Sequence, residues 1–192
     1  MKIYTIVFLF FCTSNLFGQS TVDQIDLRIL ENLAAKRSEQ ETKAMRIISD
    51  ANNYVNAAIP AGLFVAGVID GNKEMRQNAV YIASSTAITA LLNFGLKQIF
   101  KRPRPFIAHI GFKAVYQPSS YSFPSGHTSA SFSTATALSR AYPKWYIVAP
   151  SFIWAGTVGY SRMYLGVHNP SDVAAGAILG AGSAFGMGFI RP

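Results

Sequence analysis

The chain is predicted to fold as an all-α helical bundle set in a membrane, with about five spans behind an N-terminal signal sequence. Two observations on composition and one on pattern predict this. Half of the 192 residues are hydrophobic. Only 14% are charged, against about 25% in ordinary soluble domains, and surface facing lipid cannot carry charge cheaply. Five apolar segments then follow one another, separated by short polar connections. A chain of this length is expected to form one domain.

Residues 1–18 read as a signal peptide: Lys2 supplies a positive start, residues 3–11 are apolar and Gly18 is a small residue at the cleavage position. An uncleaved membrane anchor is the alternative. Cys12 is the only cysteine, and Phe11 before it is too large for a lipoprotein processing site. After cleavage no cysteine remains for disulfide or thiol chemistry. Residues 21–52 are polar, with Ile25, Ile29 and Leu33 at a spacing of four, which predicts an amphipathic N-terminal helix. It either lies on the membrane interface or packs in solvent against the core.

The five apolar segments run over 54–69, 79–96, 127–142, 145–160 and 172–190. A span needs about 20 residues, so flanking residues must complete several of them. The last carries Gly176, Gly180, Gly182 and Gly186, a small-residue spacing that lets helices approach closely in a bilayer. A tightly packed soluble bundle is the competing reading.

Lys73 and Arg76, Arg140 and Lys144, and Arg191 fall on one side of this topology. With a signal sequence at the front, that side is cytoplasmic, as the positive-inside tendency requires. The opposite, periplasmic or outer side receives Lys97, Lys101, Arg102, Arg104 and Lys113. So many cations on the outer side run against the tendency, and an anion-binding site would explain them. From Met75 to Pro192 the only carboxylate is Asp172, against ten Lys and Arg residues and all three histidines. Such a stretch is a poor cage for a divalent metal and a good host for an anion.

Three clusters at helix ends on that side carry the chemistry. The first is Lys97-x6-Arg104-Pro105, where Pro103 and Pro105 stop the preceding helix and keep the chain extended. The second is Pro124-Ser125-Gly126-His127, at a helix start that favours negative charge. The third is Ser161-Arg162-x5-His168-x3-Asp172. There Asn169 suits an N-cap and Pro170 a first helical position. Asp172, in the first turn, is placed to bond one nitrogen of His168 and turn the other outward.

These three motifs, in this order and without substitution, resemble those of the type 2 phosphatidic acid phosphatase and vanadium haloperoxidase superfamily, in its membrane lipid phosphatase branch. The resemblance covers most of the chain, as a domain over 54–190. It implies that Lys97, Arg104 and Arg162 bind phosphoryl oxygens, with Ser125 and the Gly126 N–H adding hydrogen bonds. It implies that His168 attacks phosphorus, that Asp172 holds its tautomer, and that His127 protonates the leaving oxygen. The expected activity is metal-independent hydrolysis of a lipid phosphate or lipid diphosphate at the bilayer, with no cofactor and no nucleic-acid partner. A soluble periplasmic nonspecific acid phosphatase is the alternative within the same superfamily.

Three other classes compete. A vanadate-dependent haloperoxidase would use the same anion pocket, but its known members resemble much larger soluble proteins. A metal hydrolase built on His127, His168 and Asp172 would place a divalent cation beside three basic side chains. A non-enzymatic membrane protein would have no use for intact motifs. His109 matches no motif and reads as a loop residue. Tyr116, Tyr121 and Phe123 read as loop packing or interfacial aromatics.

Overall fold

The computed structural model describes residues 21–192, so the signal sequence expected over 1–18 lies outside the described residues. Among the described residues the architecture is helical and free of strand. Helix α1 covers residues 21–35. It is followed by α2 (Glu39–Ile69), α3 (Lys73–Phe100), the short α4 (Pro105–Ala108), α5 (Gly126–Ala141), α6 (Trp145–Tyr164) and α7 (Pro170–Gly186), with a closing 3-10 turn at Met187–Ile190.

Each of the five apolar segments lies in a helix, but hydropathy marks only the apolar middle. The ends are set by caps. The Ser38 side chain accepts from the N–H of Glu41 and starts α2, while the Asn72 side chain accepts from Met75 and starts α3. The segment expected as one amphipathic helix over 21–52 is divided at residues 36–38, and its second half continues unbroken into the first apolar segment as α2. The face that α1 turns to the protein is not the Ile25 and Ile29 stripe, which stays free for the membrane-interface alternative rather than packing against the core. Leu30 and Asp26 are buried, whereas Ile25 and Ile29 are exposed. A carboxylate on the buried stripe hides it from an apolar periodicity count.

Helix α5 occupies the centre, in contact with α2, α3, α6 and α7. Its closest neighbour is α7, for a reason visible in two glycines. A Cβ on Gly180 would stand 2.1 Å from the Ser129 carbonyl oxygen, and one on Gly176 would stand 2.7 Å from that of Ser125. No side chain fits at either position. Gly182 and Gly186, by contrast, face open space, so only half of the expected glycine series serves this contact. Tyr81, Ile82, Ala137 and Ala184 form the buried core.

The end away from the three motifs is closed by cations on helix carbonyls. Arg76 donates to Gly67, Arg140 to Ala184 and Phe185, and Arg191 to Arg140. The flanks of the bundle are apolar and exposed, for example at Phe64, Val65, Leu91, Phe94, Ile153 and Ile178. A belt of this kind marks a membrane or partner surface. Lys73–Ala108 and Pro170–Ile190 are long and apolar enough to cross a bilayer.

Candidate active site

At the other end the helix termini converge. Helix α3 delivers Lys97 in its last turn and ends at Lys101, which takes a left-handed conformation (φ 46°). Pro105 does not extend the chain beyond this point but opens α4, where a proline at the first position fits the helix. Helix α5 begins at Gly126 with Ser125 as its N-cap residue, and α7 begins at Pro170 behind Asn169. The residues between α6 and α7 carry His168.

His168 is buried, and its two ring nitrogens meet opposite charges. Nε2 lies 3.3 Å from Arg104 Nη1. A guanidinium can only donate, so Nε2 must be the acceptor and the ring proton is assigned to Nδ1. Nδ1 lies 3.6 Å from Asp172 Oδ2, an ion-pair separation longer than a hydrogen bond. The bond anticipated between these residues is therefore not closed. The carboxylate is bound elsewhere: Oδ2 accepts from Asn169 N–H at 2.8 Å and from Ser122 Oγ at 2.5 Å, and Oδ1 accepts from Arg102 at 2.7 Å. Burial pushes the His168 imidazole down to about 3, with Arg104 and Arg162 acting in the same direction and Asp172 opposing them. The ring is therefore neutral, with its lone pair on Nε2.

The expected phosphate-binding cations come together here. Arg104 is anchored by Ser120 O, Ser120 Oγ and Val167 O at 2.7, 2.9 and 2.7 Å. Arg162 donates through Nη1 to Ser49 Oγ and Tyr116 Oη, while its buried Nε has no partner. Lys97 donates to the carbonyls of Tyr121 and Ser122. Lys97, Arg104 and Arg162 lie close enough to act electrostatically on one another and on His127. Three mutually repelling cations in one partly buried space create a positive potential that favours an anion.

Ser125 does not use its hydroxyl as a cap, but pairs it with Thr128 Oγ1 at 2.9 Å. Its N–H donates to the Asp172 carbonyl at 3.0 Å, which ties the starts of α5 and α7 together. Gly126 sits against Asn93, 3.4 Å from where a Cβ would stand. The backbone carbonyl of His127 accepts from Asn52. Among the described residues no three His, Cys, Asp or Glu side chains gather as a metal set.

Several contributing residues escape the motif reading. Tyr116 is not mere loop packing: its hydroxyl holds Arg162 and its ring lies 3.8 Å beneath the Arg46 guanidinium. Phe123 packs edge-on against Phe100, and Tyr121 contributes its carbonyl rather than its ring. Ser49, Ser122 and Arg102 complete the set. Ser49 and Ser122 sit outside any chemical pattern, and Arg102 was legible only as one more cation. His109 follows α4 as a loop residue.

An open groove of about 690 Å³ runs between α2, α3 and α5, lined by residues including Asn53, Pro60, Phe64, Val80, Ala87 and Ala130. On α5 its lining comes as near to His127 as Ala130, one turn away, and it includes none of Lys97, Arg104, Arg162 and His168.

Residues 78–189 match the family described as the PAP2 superfamily. Over 114 residues the chain is 34% identical to the undecaprenyl-diphosphatase of Sulfolobus acidocaldarius, a match covering 59% of this chain and 55% of that protein. Over 60 residues it is 42% identical to the lipid A 4'-phosphatase of Bacteroides thetaiotaomicron, covering 31% and 27% respectively. The chain thus spans about half the length, or less, of these curated relatives. Its fold superposes on the crystal structure of a transmembrane PAP2-type phosphatidylglycerolphosphate phosphatase from Bacillus subtilis with a TM-score of 0.74 and 25% identity, covering 98% of this chain and 96% of the other.

Proposed function

The chain belongs to the PAP2 superfamily, and from that premise we propose that it is a metal-independent membrane phosphatase that hydrolyses a lipid phosphate or lipid diphosphate through a phosphohistidine. The observation that carries the reading is the buried, neutral His168, whose Nε2 faces Arg104 in the space shared with Lys97 and Arg162.

The reaction has two halves. A substrate phosphoryl group draws Arg104 onto its oxygens and frees Nε2. The Nε2 lone pair attacks phosphorus, the N–P bond forms, and the P–O bond to the leaving group breaks. His127, which carries a proton once the phosphoryl anion lies beside it, gives that proton to the departing oxygen. The ring of His168 becomes cationic, and its Nδ1–H turns more strongly toward Asp172. In the second half, His127 takes a proton from water, whose oxygen attacks phosphorus. The N–P bond breaks, and inorganic phosphate leaves. Two unit charges about 4 Å apart at an effective dielectric near 20 interact by about 4 kcal/mol, so three cations dominate recognition of the phosphoryl group.

The lipid part of the proposal is supported by the exposed apolar belt and by the apolar groove between α2, α3 and α5, which suits a hydrocarbon tail. Relatives acting on undecaprenyl diphosphate, lipid A and phosphatidylglycerolphosphate point the same way. These features favour the membrane form over a soluble periplasmic phosphatase. The placement of the site on the outer face rests on the signal sequence expected at residues 1–18. The test is phosphate release from a panel of phosphatidate, phosphatidylglycerolphosphate, polyprenyl diphosphate and water-soluble phosphomonoesters, with chelator and vanadate controls. Turnover of a lipid substrate that resists chelator and is blocked by vanadate supports the reading. Activity that is lost in chelator and returns with added metal contradicts it.

A further inference from the structure

The acid behind the nucleophile is itself held by a cation outside the assigned site. Arg102 reaches Asp172 Oδ1 and Ser171 Oγ through Nη1, at 2.7 and 2.6 Å. Through Nη2 it reaches Asp23 Oδ1 and Asp26 Oδ2, at 2.6 and 2.9 Å. Both aspartates stand on α1. Asp26 also accepts from the backbone N–H and the hydroxyl of Ser171, in the first turn of α7. One guanidinium thus joins α1 to the start of the helix that carries Asp172.

We infer that Arg102 is a positioning residue for Asp172, and that α1, through Asp23 and Asp26, is a working part of the site. The inference rests on the phosphohistidine reading above. Its first ground is geometric. The Asp172 side chain is fully buried, with Oδ2 fixed by Ser122 and Asn169 and Oδ1 by Arg102. Without Arg102 the carboxylate loses its only charged hydrogen-bond partner among the described residues and is free to turn away from Nδ1 of His168. The second ground is the charge balance. A cation facing Asp172 alone would cancel much of the carboxylate's field at the ring. Here three carboxylates share one guanidinium, so Asp172 keeps the negative charge that a cationic His168 ring requires. The third ground is reach. Both Nη atoms of Arg102 are committed to these four partners, so its effect on the reaction passes through Asp172 rather than through the phosphoryl group.

This predicts a loss in kcat rather than in KM. The experiment uses the full-length chain in detergent and the lipid substrate that the wild type turns over in the panel above. Arg102→Met, Arg102→Lys and Asp26→Asn are compared with wild type and His168→Ala, with kcat expressed per folded molecule after size-exclusion chromatography. Arg102→Met is expected to lower kcat by about 10- to 100-fold, the range typical of groups that orient a reacting ligand, with KM within about threefold. Arg102→Lys recovers part of the loss, and Asp26→Asn shifts kcat in the same direction by less. A rise in KM at unchanged kcat would make Arg102 a phosphate ligand and overturn the inference. Unchanged kinetics would overturn it too, as would a loss that vanishes once normalised to folded protein. If His168→Ala remains active, the parent reading fails. If His168→Ala is inactive and Arg102→Met is normal, only this inference fails.

Discussion

Arg104 Nη1 stands 3.3 Å from Nε2 of His168, so a donor-only side chain marks the nitrogen that carries the lone pair. This contact fixes the tautomer and identifies the atom that would attack phosphorus. It also implies that Arg104 must release the ring when a phosphoryl group arrives.

Replacing Arg104 by methionine therefore removes a proposed phosphate ligand and the tautomer marker together. Hydrogen bonds to charged groups contribute about 1.5–3 kcal/mol each, so kcat/KM is expected to fall by at least about tenfold to a hundredfold. Arg104→Lys should recover little, because a point charge cannot reproduce a guanidinium that bonds Ser120 and Val167 while facing the ring. Steady-state kinetics on both variants checks this; full recovery in the lysine variant would count against the geometry.

The pH dependence of stability follows from the depressed His168. Its folded value is about 3 and its unfolded value about 6.5, so the folded state binds fewer protons between these limits. The stability gained by keeping the ring neutral is complete above about pH 6.5 and is lost as pH falls toward 3. Thermal unfolding in detergent should show Tm falling across that window, and His168→Gln should flatten the fall. A His168 ring resonance titrating with a midpoint near 6.5 would contradict the assignment.

Tyr116→Phe removes the hydroxyl that accepts from Arg162. The guanidinium keeps Ser49 but loses alignment, at a cost of about 1–3 kcal/mol. KM is expected to rise several-fold with little change in folded yield. Kinetics matching the wild type would show that Tyr116 does not position Arg162.

Gly180→Ala tests the packing of α5 on α7. Its Cβ would meet the Ser129 carbonyl oxygen at 2.1 Å, so the helices must separate, at a cost of about 1–3 kcal/mol or more. Gly182→Ala, facing open space, should stay within about 0.5 kcal/mol of wild type. Equal thermal stability of the two variants would refute the close approach.

The helical class and the residues gathered in the candidate site were legible because they depend on apolar runs and on motifs confined to short stretches. Lys97, Arg104, Arg162 and His168 are each placed by a helix end that proline, glycine or a cap residue marks in the sequence. What stayed hidden depends on contacts across the chain. Asp172 looked isolated because no other acid occurs after Met75, yet Asp23 and Asp26 approach it from 145 or more residues away in sequence, through Arg102 and Ser171. The face by which α1 packs on the protein was not legible because one of its residues, Asp26, is a carboxylate. The Asp172 side chain was expected on the imidazole, but a first-turn acid lies within reach of the N-cap N–H, and Asn169 claims it.

The most direct test of the central claim is to quench turnover of a 32P-labelled lipid phosphate with alkali, which preserves phosphohistidine, and to locate the label by peptide mapping. The account predicts radioactive phosphate on the peptide containing His168 in wild type and none in His168→Ala. Label on any other residue, or turnover that persists in His168→Ala, would contradict it.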